Sequence, residues 1–258
     1  MKNVTLVALA LSFVLTACSN TGTVSLSLTS RQAAAPAPGA SFASLASGAS
    51  VAAAGDSTVI ALGNDTVIVR SAQLVLRKVE LKRSDVGSCD AVAGNDDCEE
   101  FETGATLVTL PLGSAMIAQQ VSVPAPAGTF NALEFEIHKP GSGEDAAFIA
   151  ANPAFAAISI RVTGTYSQAG TRSSFTFTSD VDQGRETSLV PPVTVGDGQG
   201  LNVTLRVDIS GWYLNAAKTA LVDPASANQG GANESVVANN IQSSFKAFED
   251  DNHDGVEG

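Results

Sequence analysis

Short segments with an apolar residue at every second position recur along the chain and constrain its fold more than any other feature. The clearest is residues 201–209, in which Leu201, Val203, Leu205, Val207 and Ile209 alternate with polar residues. Because successive side chains of a β-strand point to opposite faces, this alternation predicts a strand with one buried face. The predicted strands are 23–29, 57–62, 66–70, 73–82, 105–110, 117–123, 129–138, 157–166, 173–180, 187–195 and 201–209.

This many short strands at fairly regular spacing predict an all-β domain. We expect an antiparallel β-sandwich of the immunoglobulin-like or transthyretin-like kind. Within the long strand 129–138, Phe130, Leu133, Phe135 and Ile137 are the core candidates. Residues 144–151 follow and predict one or two helical turns, which Asn152-Pro153 would end.

The apolar pattern of residues 73–82 slips by one position at Arg77-Lys78. Leu74 and Leu76 precede the slip, and Val79 and Leu81 follow it. Because the side-chain period of a strand is two, an uncorrected slip would turn every later side chain to the other face of the sheet. The sequence therefore predicts a β-bulge or a bend at Arg77-Lys78.

Near its end the chain changes to a helical period. Val237, Ile241, Phe245 and Phe248 are spaced so that they form one apolar stripe of a helix. We therefore expect a C-terminal amphipathic helix from about Glu234 to Phe248, with its stripe packed on the sandwich. Asn233 precedes the helix and is a residue type that commonly caps a helix N-terminus.

The first residues have the pattern of a secretory signal. Lys2 is followed by an apolar run from Val4 to Leu15 and then by Thr16-Ala17-Cys18. The apolar run is well short of the roughly 20 residues that a membrane-spanning helix needs. Leu15-Thr16-Ala17-Cys18 resembles the lipobox of bacterial lipoproteins. In such proteins the signal peptide, here 1–17, is removed and the cysteine, here Cys18, carries acyl chains such as palmitate.

The lipobox resemblance implies an address in the bacterial cell envelope. Ser19 follows the cysteine where an aspartate would signal retention in the inner membrane, so the resemblance implies the outer membrane. Several acyl chains hold a protein stably to a membrane, because each buries hydrocarbon. The membrane is therefore the first expected partner.

Removal of the signal leaves 241 residues, enough for a single domain over 18–258. Within it, 21 of the 26 residues of 30–55 are Ala, Ser, Gly or Pro. With so few large side chains to offset ordering entropy, this segment is predicted to be a flexible insertion. An Ala-rich helix around Phe42 and Leu45 is the alternative. The mature chain has 13 basic and 26 acidic residues, which argues against nucleic acid as a partner.

Two further cysteines, Cys89 and Cys98, flank a polar loop of eight residues. In an exported protein this pair predicts a structural disulfide. Their spacing does not match a redox or zinc motif, and no histidine is near them in the sequence. Such a bridge would stabilise the fold by roughly 2–3 kcal/mol.

The acidic end of the chain, within the C-terminal segment 233–258, resembles the start of an EF-hand calcium loop. The residues with ligand spacing are Asp250, Asn252, Asp254, Val256 and Glu257. Gly255 occupies the turn position, and the predicted helix leads into the loop. The twelfth position, a bidentate glutamate in EF-hands, would fall after Gly258. We therefore expect Glu257 or a carboxylate from elsewhere to complete a Ca²⁺ site, with an acidic tail as the alternative.

Several segments together resemble a family of bacterial lipoproteins that carry the domain of unknown function numbered 4382. They are Gly22-Thr23-Val24-Ser25-Leu26-Ser27-Leu28-Thr29, Leu76-Arg77-Lys78-Val79-Glu80-Leu81 and Ala127-Gly128-Thr129-Phe130. The resemblance covers about the first half of the mature chain. It implies a β-sandwich of uncharacterised role.

The sequence favours a binding or structural module over an enzyme. With only His138 and His253 available, a Ser-His-Asp or Cys-His site is not expected. The alternatives are a calcium-stabilised carbohydrate-binding module and a hydrolase with paired carboxylates. Trp212-Tyr213 would stack on a sugar in the first of these, although large aromatic residues at a strand end more commonly belong to the core. A polysaccharide or another envelope protein is the expected partner beyond the membrane.

Overall fold

The computed structural model describes residues 22–30, 50–84, 104–113, 118–125, 127–252 and 255. The strands are β1 (Gly22–Thr29), β2 (Ser50–Ala54), β3 (Ser57–Leu62), β4 (Asp65–Arg83), β5 (Thr106–Thr109), β6 (Ala118–Ala125), β7 (Gly128–Ile137), β8 (Ile160–Gln168), β9 (Thr171–Ser179), β10 (Gln183–Val195), β11 (Gly200–Val207) and β12 (Phe245–Glu249). The α-helices are α1 (Ala146–Ala151) and α2 (Glu234–Gln242). Short 3-10 helices lie at Pro153–Phe155, Ile209–Gly211 and Pro224–Ala227.

These strands form two sheets. The smaller has the order β12-β11-β1-β6, and the larger has the order β10-β7-β4-β3-β2, with β5 and β8 also paired to β4 and β9 paired to β8. The pairs are antiparallel, with the exception of β1 and β11, which run parallel. The prediction of an all-β sandwich is confirmed, and among the described strands the parallel pair of β1 and β11 is the one departure from an antiparallel arrangement.

One apolar core fills the space between the sheets. All four predicted core residues of β7 are buried: Phe130, Leu133, Phe135 and Ile137. The Phe135 ring packs against Phe245 of the smaller sheet, with 5.2 Å between ring centroids. Burial of each large apolar side chain contributes about 1.5–3 kcal/mol, so contacts of this kind hold the two sheets together.

The 19-residue strand β4 is the centre of the larger sheet. Along one edge it pairs first with β8 through residues 66–74, and then with β7 through residues 76–83. The register with β7 shifts between Arg77 and Glu80, and Lys78 has a positive φ of 52°. The bulge predicted at Arg77-Lys78 is therefore confirmed. It lies close to the point where β4 changes partner.

The predicted C-terminal helix is correct only in its first half. Helix α2 begins at Glu234 but ends at Gln242, and residues 245–249 form β12, which pairs with β11. Phe245 and Phe248 therefore belong to a sheet, because pairing with the edge of β11 satisfies the backbone there. Asn233 occupies the capping position, but its side chain donates to Ser226 Oγ (2.8 Å) and makes no cap.

Two further expectations differ from the structure. Residues 50–54, at the end of the predicted flexible insertion, form β2 and pair with β3, while 31–49 lie outside the described residues. The strand predicted over 201–209 was expected to bury one face. Asn202 and Thr204, on its polar face, are buried as well. A hydrogen-bonded polar layer therefore covers that face.

The two ends of the sandwich carry different segments. At one end lie the first residue of β1, which pairs with Ala125, and the start of β7 at Gly128, which pairs with Val195. From there β7 runs through ten residues to Ile137 at the opposite end, a distance of about 30 Å at about 3.3 Å per residue. Among the described residues, no helix is long and apolar enough to cross a membrane.

Candidate functional site

A cluster of charged side chains lies where β7 ends, at the end of the sandwich opposite to Gly22. The chain leaves β7 at His138 and returns at Ser159 to begin β8. The two strands thus flank β4 in succession, and Val75 bonds to both connections: its carbonyl accepts from His138 N (2.9 Å), and its N–H donates to Ser159 O (2.8 Å). These backbone bonds fix His138 in place.

The imidazole of His138 is buried, with 3% of the residue exposed. Its Nε2 is 2.8 Å from Asp145 Oδ2, a hydrogen-bond distance. Its Nδ1 is buried and has no hydrogen-bond partner. Two carboxylate oxygens face this nitrogen, Oε1 of Glu136 at 3.6 Å and Oδ1 of Asp182 at 3.5 Å. Both distances are longer than a normal hydrogen bond.

Asp145 orients the imidazole. Burial alone would raise the pKa of Asp145, but hydrogen bonds from Gly141 N–H (2.8 Å) and His138, together with the charge of Arg77, lower it below the usual value. An ionised carboxylate has no proton to donate, so the bond to His138 requires a proton on Nε2. In a neutral imidazole the buried Nδ1 then carries a lone pair directed at Glu136 and Asp182.

Arg77 holds two of the surrounding carboxylates. Its guanidinium contacts Glu136 through Nε (3.1 Å) and Nη2 (3.4 Å), and contacts Glu144 through Nη1 (2.9 Å). Although partial burial would lower it, the bonds to these carboxylates raise the pKa of Arg77. Arg77 lies opposite Glu136 in the register of β4 and β7. The Glu136 carboxylate is therefore held against β4, with one edge toward His138.

Asp182 is the more accessible of the two carboxylates that face Nδ1, since 48% of its side chain is exposed against 18% for Glu136. The backbone N–H of Lys139 donates to Asp182 Oδ1 (3.2 Å). The ammonium of Lys139 instead pairs with Asp180 Oδ2 (2.9 Å), and this contact raises the pKa of Lys139. Asp180 and Asp182 are thus close in sequence but have different partners.

An open cleft of about 590 Å³ adjoins this cluster. It is lined by Arg77, Lys78, Gly104, Ala105, Glu144, Asp145, Ala147 and Phe148. The bulge of β4 forms one wall, and α1 forms the other. Its lining combines charged groups with small or apolar residues, which suits a ligand with a polar or charged end.

Cys18, the predicted site of the lipid anchor, and Cys89 and Cys98, the cysteines of the predicted disulfide, lie outside the described residues. The disulfide and the lipid anchor therefore stay predictions.

The predicted calcium loop is described only in part. Asp254, Val256 and Glu257 lie outside the described residues. Asp250 is buried, and its Oδ2 accepts from Thr204 Oγ1 (2.7 Å) and Gly255 N (3.0 Å). The segment leading into the loop is β12, not the predicted helix, so the helix–loop arrangement of an EF-hand is absent here. Calcium binding by this loop stays a prediction.

Trp212 and Tyr213 do not form an exposed platform for a sugar, because 1% and 0% of these residues are exposed. The indole Nε1 of Trp212 donates to Ser244 Oγ (2.9 Å). Tyr213 packs edge-on against Phe175 and Phe177, and its burial raises the pKa of its hydroxyl. The interpretation of these aromatic residues as core is confirmed.

The site residues Glu136, Asp145 and Asp182 were not recognised from the sequence. A signal was present for two members of the cluster: Glu136 and His138 are two residues apart at the end of a strand and therefore lie on one face. No spacing links them to Asp182, which is brought close only because Gln183 of β10 pairs with Ile137 of β7.

A scan against protein-family models gave no match, and searches of curated proteins and of solved structures gave no significant match. The resemblance to the lipoprotein family described above stays a prediction. The function must be inferred from the geometry of the cluster and from its place in the fold.

Proposed function

We propose that the protein is a lipid-anchored binding module of the bacterial cell envelope, and that it binds its ligand at the His138 cluster and the adjoining cleft. The observation that carries this proposal is the placement of Gly22 and His138 at opposite ends of the sandwich. An anchor at one end leaves the other end free to meet ligands in the aqueous compartment.

The distance between anchor and sandwich supports this orientation. Cys18 precedes Gly22 by four residues, which span at most about 14 Å when fully extended. The membrane-facing end would then contain Ala125, Gly128 and the connection 196–199. The His138 cluster would lie about 30 Å farther from the bilayer, because ten residues of β7 separate the two ends.

The geometry favours binding over the two alternatives from the sequence. The two residues predicted to stack on a sugar, Trp212 and Tyr213, are buried and do not form such a platform. A hydrolase needs a carboxylic acid whose pKa is raised enough to donate a proton near neutral pH. The carboxyl of Asp145 in the cleft has a lowered pKa, which is the wrong direction for that role.

The anchor is tested by feeding an alkyne-labelled palmitate analogue to a Gram-negative host that expresses the full chain. We expect label on the wild-type protein and partition into a detergent phase, with both lost in Cys18→Ala. Cys89→Ala is the matched control, because it also removes a cysteine but should keep the label. An unlabelled wild-type protein in the aqueous phase would refute the lipid anchor.

The orientation is tested with the lipidated protein in vesicles. A fluorophore is attached through a cysteine at position 197 in one variant and at position 182 in the other. Both Asp197 and Asp182 are exposed, so neither label disturbs the core. Quenchers placed in the lipid headgroups should quench the label at 197 much more than the label at 182. Equal quenching, or the reverse order, would contradict the proposed display of the His138 cluster.

A further inference from the structure

We propose that Glu136, His138 and Asp182 form a site for a divalent transition-metal ion of the zinc class. The ligands would be Nδ1 of the imidazole and one oxygen from each carboxylate. These residues lie at the end of the sandwich that we propose binds a ligand. The metal site therefore rests on the proposed function and specifies the chemical class of that ligand. Binding of the ion does not require the lipid anchor, so the two can fail separately.

The distances fit a metal better than they fit hydrogen bonds. Ligands that lie about 2.0–2.2 Å from a tetrahedral zinc ion are about 3.3–3.6 Å from one another. Nδ1 of His138 is 3.6 Å from Glu136 Oε1 and 3.5 Å from Asp182 Oδ1. All three ligand atoms lie within 4.8 Å of one another. The side chain of Asp182 is half-exposed and has room to bring its carboxylate closer to that of Glu136.

The unpartnered nitrogen is the second observation that indicates a ligand. A buried polar atom without a hydrogen bond costs about 1–3 kcal/mol, and such atoms are rare in folded proteins. Nδ1 of His138 is one of them, although 97% of the residue is buried from solvent and carboxylates are near. A metal ion bound at this lone pair would remove the penalty.

The groups around these three residues are arranged like the residues that hydrogen-bond to the ligands of a metal site. A histidine that binds a metal usually donates its other ring N–H to a carboxylate, which fixes the tautomer and the ring orientation. Here Nε2 of His138 faces Asp145 at 2.8 Å, and Asp145 is held in turn by Gly141 N–H. Arg77 likewise orients Glu136: its Nε donates to Oε2 (3.1 Å) and its Nη2 to Oε1 (3.4 Å), and Oε1 also faces Nδ1 of His138 at 3.6 Å. Asp145 and Arg77 are thus positioning residues.

The ligand set selects the class of ion. One imidazole and two carboxylates suit zinc and its neighbours in the first transition row. Calcium takes six to eight oxygen ligands, and magnesium requires octahedral oxygen sites with ligands about 2.9–3.0 Å apart. A dication would also neutralise the carboxylates of Glu136 and Asp182. Three protein ligands leave at least one coordination position for water.

The test uses the full chain in detergent, stripped of metal with a chelator and then dialysed. Zn²⁺ binding is measured by calorimetry, Co²⁺ binding by visible absorption, and Ca²⁺ and Mg²⁺ are titrated for comparison. We expect one Zn²⁺ per chain and the strong absorption of cobalt in a non-octahedral site. Wild type and Cys18→Ala should bind equally, which separates the ion site from the anchor.

The lead variant is Asp182→Asn, because an exposed amide oxygen can still accept the bond from Lys139 N–H. Its Kd for Zn²⁺ should rise at least about 100-fold, and that of Asp145→Asn about 10–100-fold. Asp180→Asn is the matched control: it removes a carboxylate two residues away that pairs with Lys139, and it should leave the Kd unchanged.

A spectroscopic readout covers the case in which a variant fails to fold. The chain has two histidines, so nitrogen NMR of the His253→Ala protein reports His138 alone. Zn²⁺ should shift Nδ1 while Nε2 keeps its proton. Unshifted ring nitrogens, an Nδ1 shift caused by Ca²⁺ as large as that caused by Zn²⁺, or equal Zn²⁺ affinity in Asp182→Asn and Asp180→Asn would each overturn the site.

Discussion

Replacing Asp250 with alanine should destabilise the protein far more than the same change at its exposed neighbour Asp251. Asp250 is 2% exposed, and its carboxylate accepts from Thr204 Oγ1 (2.7 Å) and Gly255 N (3.0 Å). Hydrogen bonds to a charged group contribute about 1.5–3 kcal/mol each, and the fully buried Thr204 would lose this acceptor. We therefore expect a loss of about 3–5 kcal/mol in the free energy of unfolding.

The measurement is urea unfolding of the full chain in excess EDTA, followed by thermal unfolding. A loss of this size should lower the midpoint by about 10 °C, since 1 kcal/mol corresponds to about 2–4 °C in a domain of this length. Asp250→Asn keeps an oxygen acceptor and should lose less. Thr204→Val combined with Asp250→Ala should show a coupling energy of about 1–3 kcal/mol. Equal and small effects of Asp250→Ala and Asp251→Ala would refute a structural role for this carboxylate.

Added calcium tests the second role predicted for Asp250, that of a Ca²⁺ ligand. If the loop binds Ca²⁺, the ion at 100 times its Kd should add about 2.7 kcal/mol to wild type. Magnesium should add less to the free energy of unfolding, and calcium should not stabilise Asp250→Ala. A wild-type midpoint that is the same in EDTA and in calcium would leave Asp250 as a structural residue only.

Two further changes test the fold. Gly164→Ala should lower the free energy of unfolding in urea by about 2–3 kcal/mol, because the new Cβ would lie 2.0 Å from Ile68 O. The control Gly184→Ala meets no atom within 4 Å and should cost much less. Equal costs would contradict the close approach of the two strands. Reduction of the predicted Cys89–Cys98 bridge should lower stability by about 2–3 kcal/mol, and mass spectrometry without reductant should show one linked peptide pair rather than free thiols.

Period-two alternation predicted the described strands other than β2 and β12, because a half-buried strand imposes that period on its sequence. It failed at the end of the chain, where Phe245 and Phe248 also fit the stripe of a helix that starts at Glu234. Pairing with β11 decided the outcome there, and a pairing partner 38 to 46 residues away is not visible in a local pattern. The buried polar face of β11 was missed for the same reason, since it depends on Ser27 of β1 and on Asp250, which follows β12.

The residues of the His138 cluster come from distant parts of the chain, and pairing of β4, β7 and β10 brings them together. Sequence alone placed His138 at a strand end but assigned it no role. The nearest local signal was the slip at Arg77-Lys78, which was interpreted only as a bulge. Local irregularity of this kind is more frequent next to functional sites than elsewhere.

The bulge and the cluster are connected by geometry. Arg77 pairs with Glu136 immediately before the bulge, and Lys78 then takes a positive φ of 52°. A regular strand here would carry the β4–β7 register on without interruption and would continue the pattern of side chains toward the end of the sandwich that contains Gly128. Because the extra residue is accommodated at this point, Arg77 can contact both Glu136 and Glu144, and Lys78 can line the cleft. The positive φ of Lys78 costs stability, and the site that the bulge shapes is the reason that we infer for keeping it.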